Sequence, residues 1–181
     1  SGAFVAGLDA GLVYNSFPLM AGKIIPSDIF AYAPWLSNFT ENPTTVQFDH
    51  RILGTSTLAF VTYMALKARN LPLHPRYNSY ILSLNLSVIL GLLKRKNNHP
   101  NLTITLFFRT MKAVAALTFF SWMQVGLGIT TLLAYVPVSI AAMHQANALI
   151  TLSSALWLSH EVKNLKFNPQ LAAKAMKYVP K

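Results

Sequence analysis

His50 and His144 each stand inside an apolar run long enough to cross a membrane, and each lies near the same end of its run. Their surroundings read Gln47-Phe48-Asp49-His50-Arg51 and Ala141-Ala142-Met143-His144-Gln145-Ala146. An ionisable side chain in hydrocarbon is costly and marks a site by default. Two imidazoles at one depth can hold one shared object between two helices, and an iron macrocycle with an axial ligand from each helix fits that description. Copper or zinc would call for a third or fourth ligand. No further His lies in a span: His74, His99 and His160 each sit beside Pro or a charged residue. Two other readings of the pair stay open, a helix-to-helix hydrogen bond and a proton relay or other ion site.

The neighbours carry similar pairs of readings. Arg51 offers a guanidinium fork to a carboxylate such as a heme propionate. It can equally pair with Asp49 or reach a lipid phosphate. Adjacent helical residues point about 100° apart, so support for the His50 ring is expected from elsewhere than Asp49. Gln124 and Gln145 sit in spans and are expected to hydrogen-bond between helices. Gly54, Gly126 and Gly128 read first as close helix packing and otherwise as room for a flat macrocycle. Asp9, between Gly7 and Gly11, reads as a cap or loop anchor. The Met and aromatic residues of 111–123 read as lipid-facing or core filler.

The elements that must position these residues are membrane helices. The chain is 53% hydrophobic and 11% charged, where soluble domains carry about 25% charged residues. An all-α transmembrane helical bundle follows. The net charge is +10, from 15 Lys+Arg against 5 Asp+Glu. Its placement at the ends of apolar runs points to a membrane flank, with the lipid bilayer as partner and no nucleic acid. With no Cys there is no disulfide, thiolate metal site or Cys nucleophile. The chain opens on Ser1-Gly2-Ala3-Phe4 inside an apolar stretch, as a truncated first helix would, so it reads as a piece of something longer.

Residues 1–71 comprise the end of that first helix, a polar, Pro-rich loop over 15–45 and the first complete span, Val46–Leu66. Tyr32, Trp35 and Phe39 suit the loop to the membrane surface. Residues 109–160 hold two further spans, Met111–Leu133 and Val138–Leu158, joined by a short turn at Tyr135-Val136-Pro137. Residues 161–181 form a basic tail. Between them, 72–108 contain Tyr77–Leu93, about 17 residues and at the lower limit for a span. If it spanned, Arg76 and Lys94-Arg95-Lys96 would fall on opposite sides, against the positive-inside rule. Read as re-entrant or surface-lying, it leaves the basic residues on one face and only Lys23 in the opposite loops. Val46–Leu66 and Val138–Leu158 then run in the same direction, and the depths of His50 and His144 differ by only ~3 Å.

The wording of several motifs resembles the heme A synthase family, in its eukaryotic mitochondrial branch. They are Gly2-Ala3-Phe4-Val5-Ala6-Gly7-Leu8-Asp9-Ala10-Gly11, Tyr14-Asn15-Ser16-Phe17-Pro18, Thr45 to Arg51, Gln124 to Leu133, and Val136-Pro137 leading to His144-Gln145-Ala146. They run in order from Gly2 to Ala146. The resemblance implies the C-terminal four-helix half of an eight-helix pseudo-repeat protein, each half with a His pair. It implies heme b held by His50 and His144, and no catalytic residue in this half. The substrate, heme O, would bind in the N-terminal half, beside a glutamate that is absent around His50. The reaction implied is oxidation of the C8 methyl of heme O to a formyl group, giving heme A, with this half alone lacking turnover. Ferredoxin and ferredoxin reductase, heme O synthase and cytochrome c oxidase assembly factors are the implied partners, and a homo-oligomer is open. The implied location is the mitochondrial inner membrane, multi-pass, with the histidines near the intermembrane-space side and the basic loops on the matrix side. From Leu71 to about Phe108 the chain departs from the family's short loop, which marks 72–108 as an insertion or a gene-model error. Rivals from other classes are a non-enzymatic b-type cytochrome or quinol electron carrier, and a transporter-type helix pair with a His relay.

Overall fold

A computed structural model of the chain describes residues 1–69 and 100–164. The segment Tyr77–Leu93, His74, His99 and the tail beyond 164 lie outside the described residues. Among them, the main regular elements are four α-helices: α1 (Gly2–Gly7), α2 (Pro43–Arg69), α3 (Pro100–Leu133) and α4 (Val138–Asn164). Short 3-10 turns occupy Ala10–Leu12 and Trp35–Phe39.

The long helices form because apolar residues run through them with few Gly or Pro to break the ladder. Their hydroxyls are kept within the helix. Thr55, Thr118, Thr130, Thr131, Thr151 and Ser154 each donate to the carbonyl four residues back, which lets polar residues sit in an apolar bundle. The apolar stretch Phe108–Leu133 is long and apolar enough to cross a membrane, the one such stretch among the described residues. α2 and α4 match it in length but are diluted by Thr, Ser, Asn and Gln. Together these features make the chain part of a helical membrane protein.

The start of α2 is set by Asn42. Its Oδ1 accepts from the backbone N–H of Thr44 and Thr45 at 3.0 and 3.3 Å, the geometry of an N-cap, with Pro43 at the first helical position. α3 ends in a tight cap: Tyr135 N–H donates to Leu132 O and Val136 N–H to Thr131 O, the paired bonds of a Schellman ending. Tyr135 and Val136 take the left-handed conformation (φ 62° and 58°), a region that disfavours a β-branched residue. Asn15 gives the Leu132 carbonyl a second donor at 2.9 Å and also donates to Gly11 O at 2.9 Å.

α3 packs along α4 and less extensively against α2, while α2 and α4 hardly touch. His50 meets His144, and about two turns deeper Thr57 and Thr151 line a common cleft. α2 and α4 are therefore parallel, as the charge pattern predicts, with α3 antiparallel to both. At the far end Arg109 pairs with the buried Glu161 at 2.8 Å, and Trp157 Nε1 donates to the same carboxylate at 3.0 Å.

Residues 15–42 form a cap over the histidine end. Asn38, fully buried, accepts from Tyr32 N–H and donates to Tyr32 O and Trp35 O. Asn42 donates to Asn38 Oδ1 and to Asp28 O. Asp28 accepts from Thr44 Oγ1 at 2.6 Å and from Tyr14 OH at 2.8 Å. These hydroxyl bonds, Thr44 first, hold the Asp28 carboxyl below its usual range, and its bond to Asp28 pushes the Tyr14 phenol up.

Two predictions follow from the cap. Removing a buried amide that meets several backbone groups costs about 1–3 kcal/mol, so Asn38→Ala should expose residues 15–42 to limited proteolysis while the long helices stay protected. Asp28 has a depressed folded-state value, so its contribution is present above the ordinary carboxylate range and is lost as pH falls through the folded value. Protease protection of the cap should hold at neutral pH and fall below about pH 4, and Asp28→Asn should be weaker at neutral pH and lack that fall.

Candidate functional site

The two predicted histidines come together. The ring centres of His50 on α2 and His144 on α4 are 6.4 Å apart, with planes 85° to one another. With metal–imidazole bonds of about 2.0 Å and about 1.1 Å from ring nitrogen to ring centre, two trans ligands of one metal hold their ring centres about 6.2 Å apart. The observed spacing is close to that value and too long for a direct hydrogen bond between the rings.

Each ring is held by a partner from another element. His50 Nδ1 lies 3.0 Å from Ser1 Oγ, and its ring edge sits against Gly2, where an added Cβ would stand 3.6 Å from Cε1. Asp49 is not its partner, as the helical angle implies. Gln124 Nε2 lies 3.1 Å from His144 Nδ1 and 3.4 Å from its Nε2. The Gln124 amide is oriented by a chain of bonds that begins at a backbone carbonyl. Asn147 Nδ2 donates to Phe120 O at 3.0 Å and to Gln124 Oε1 at 2.7 Å. A carbonyl only accepts, so Asn147 must turn its nitrogen there, which turns the Gln124 oxygen to Asn147 and its nitrogen to His144.

The glycines separate into different roles. An added Cβ at Gly128 would stand 2.9 Å from His144 Cε1, whereas at Gly54 and Gly126 it would meet nothing within 4 Å. Packing therefore accounts for Gly128, and the other two leave open room. A cleft of about 220 Å³ lies below the rings, lined by His50, Leu53, Gly54, Thr57, Ser121 and Gln124, among others. Ser121 Oγ and Asn147 Oδ1 are buried with no protein partner.

Arg51 lies one residue past His50 and turns to the loop. Its Nη1 donates to Ser16 O at 2.9 Å and its Nη2 to Tyr14 O at 2.8 Å, with Gln47 Oε1 at 3.3 Å. Its Nε is buried and has no partner, and no pair with Asp49 is formed among the described residues. Gln145 is exposed and makes no interhelical bond, against expectation, because it points to the outer side of α4. Asp9 makes no side-chain cap bond and precedes the first 3-10 turn in the left-handed region. His160 lies at the far end of α4.

Sequence reasoning passed over Gln47 and Asn147. Gln47 Nε2 donates to Ala10 O at 2.7 Å and to Tyr14 O at 3.2 Å. The available signal was spacing: Gln47 and Arg51 are one turn apart, and His144, Asn147 and Thr151 share a face.

Fold and site define a class, a helical membrane protein in which two helices bring two imidazoles together. The family model for COX15-CtaA, described as a cytochrome oxidase assembly protein, matches residues 1–94. The chain is 44% identical over 165 residues to human heme A synthase COX15, covering 91% of this chain and 32% of that protein. It is 39% identical over 177 residues to heme A synthase COX15 of Arabidopsis thaliana, covering 95% and 32%. It is 40% identical over 163 residues to heme A synthase of Nitrosospira multiformis, covering 90% and 36%. No solved structure matches it. The chain belongs to the COX15-CtaA family, and it spans about a third of the length of these curated relatives.

The glycine geometry generates a paired prediction. Gly128→Ala forces the His144 ring to shift, so the fraction of purified chain carrying heme should drop. Gly126→Ala, one residue pair away and facing open space, should leave that fraction unchanged.

Proposed function

We propose that this chain is the cofactor half of a heme A synthase, holding heme b between His50 and His144. The observation that carries the reading is the 6.4 Å ring separation across two helices, in a chain whose relatives are named heme A synthases.

His50 and His144 would each give one ring nitrogen to the iron. Bound there, heme b supplies one-electron transfer. The chain's own residues bind, orient and shield. Ser1 and the Gln124–Asn147 pair keep the two rings facing. Gln47 and Arg51 fasten residues 10–16 across the polar end of the site, which excludes water and strengthens electrostatic interactions inside. The unpartnered Arg51 Nε is the donor left for a propionate, since a buried guanidinium nitrogen is costly without an acceptor. Gly54, at the cleft, leaves room that a macrocycle edge would need.

In the whole protein, the activity is oxidation of the C8 methyl of heme O to a formyl group, an oxidoreductase acting on a CH group. Heme O would bind in the other half, and this half alone would lack turnover. Electrons would come by way of ferredoxin and ferredoxin reductase. Heme O synthase would supply the substrate, and cytochrome c oxidase assembly factors would receive the product. The placement is multi-pass in the mitochondrial inner membrane, with the histidine end toward the intermembrane space. What supports it is the family, the membrane-length helix α3 and the sorting of basic residues away from the histidine end.

The test is an absorbance spectrum of the purified chain. Reduced bis-imidazole heme b should give a sharp α band, and a heme-replete preparation without one would reject the reading. His50→Met and His144→Met should each lose or shift that band while the chain still inserts, because axial ligand identity sets the spectrum and potential. Unchanged spectra in both variants would exclude these two ligands. Imidazole planes held at the observed 85° would act on different iron d orbitals and keep them close in energy. The oxidised protein should therefore show a strongly anisotropic low-spin electron paramagnetic resonance signal.

A further inference from the structure

The cap over 15–42 carries a surface that the heme reading leaves unused. Ile24, Ile25, Trp35 and Leu36 are 78%, 60%, 58% and 71% exposed. Trp35 cannot fold inward on its own. Its ring packs on Phe30 and Phe39, with centroids 5.8 and 5.0 Å away, and Phe30 meets Phe39 at 5.6 Å. The backbone beneath is fastened by Asn38 and Asn42. The cap is therefore a pre-formed plate with apolar side chains held outward.

Its level in the bundle is fixed by contacts. The apolar stretch of α3 ends at Leu133, and Asn15 bonds to Leu132 O. Tyr14, the preceding residue, bonds to Asp28, which also accepts from Thr44 at the start of α2. The cap thus stands where the membrane-length stretch of α3 ends. The α3–α4 connection at the same level exposes Tyr135 and Val138. Aromatic and aliphatic residues grouped at the end of an apolar span are the composition of a membrane–water interface. Charge argues the same way. Residues 17–42 hold only Lys23, Asp28 and Glu41 as ionisable acids and amines, and Asp28 is turned inward. A docking surface for a charged carrier protein would carry a charged rim to steer and orient its partner.

We propose that the cap is an interfacial plate, with Trp35 and Leu36 seated at the headgroup level of the bilayer. The apolar patch is covered by lipid, and that contact holds the cap down over the histidine end. The proposal rests on the membrane placement of α3 and is independent of the heme.

The test uses the full chain reconstituted in phosphatidylcholine vesicles. Trp122→Phe with Trp157→Phe leaves Trp35 as the sole tryptophan. Its fluorescence should be quenched most by lipid brominated near the headgroup, less by lipid brominated near the chain methyl, and little by aqueous iodide. Strong iodide quenching without bromolipid quenching places Trp35 in water and overturns the proposal. Protection from both places it under protein and overturns it equally. A second arm needs no tryptophan change. The chain has no Cys, so Leu36→Cys carries a single spin label. Relaxation by oxygen should exceed relaxation by a water-soluble nickel chelate, and the reverse order overturns the proposal. The heme α band, recorded on the same samples, reports on the cofactor reading separately.

Discussion

Residues 10–16 pass from a single 3-10 turn into loop at the end of an apolar bundle, where side chains meet several of their carbonyls. Gln47 and Arg51 meet those of Ala10, Tyr14 and Ser16, and Asn15 reaches back to α3. A buried carbonyl left unmet costs as much as a lost hydrogen bond, and these side chains add partners where the backbone has few. Both Gln47 and Arg51 flank His50 on α2. The bonds that satisfy the loop therefore also fix the rotation of the helix that presents His50. The cap hangs on the same stretch through Tyr14 and Asp28.

The His144 side obeys the same rule by a different route. The Phe120 carbonyl already accepts within α3 and has a second lone pair to offer. Asn147 takes it, and the choice passes to Gln124 and then to the imidazole. One backbone group on α3 thereby orients a side chain on α4. The left-handed pair Tyr135 and Val136 closes the turn tightly enough to keep α3 and α4 in register for that relay.

Much of this was legible in the residues. The spans at Val46–Leu66, Met111–Leu133 and Val138–Leu158 lie within α2, α3 and α4, because hydrophobic runs and breakers such as Pro43 and Pro137 act locally. The pairing of His50 with His144 was legible because charge sorting sets helix direction and depth follows from rise per residue. Gln124 was expected to bond between helices and does. Gln145 was expected to and does not, since a single-residue step turns a side chain by about 100°.

By itself the sequence determined an all-helical membrane chain, two parallel helices and a histidine on each, since composition, periodicity and charge placement are properties of short windows. The tertiary structure decided which groups touch. It gave His50 to Ser1, His144 to Gln124, Arg51 to the loop carbonyls and Gly128 to the His144 ring. Those contacts join residues distant in the chain, and each depends on helix rotation. Rotation is set by the joint satisfaction of buried polar groups, which no single window of sequence contains.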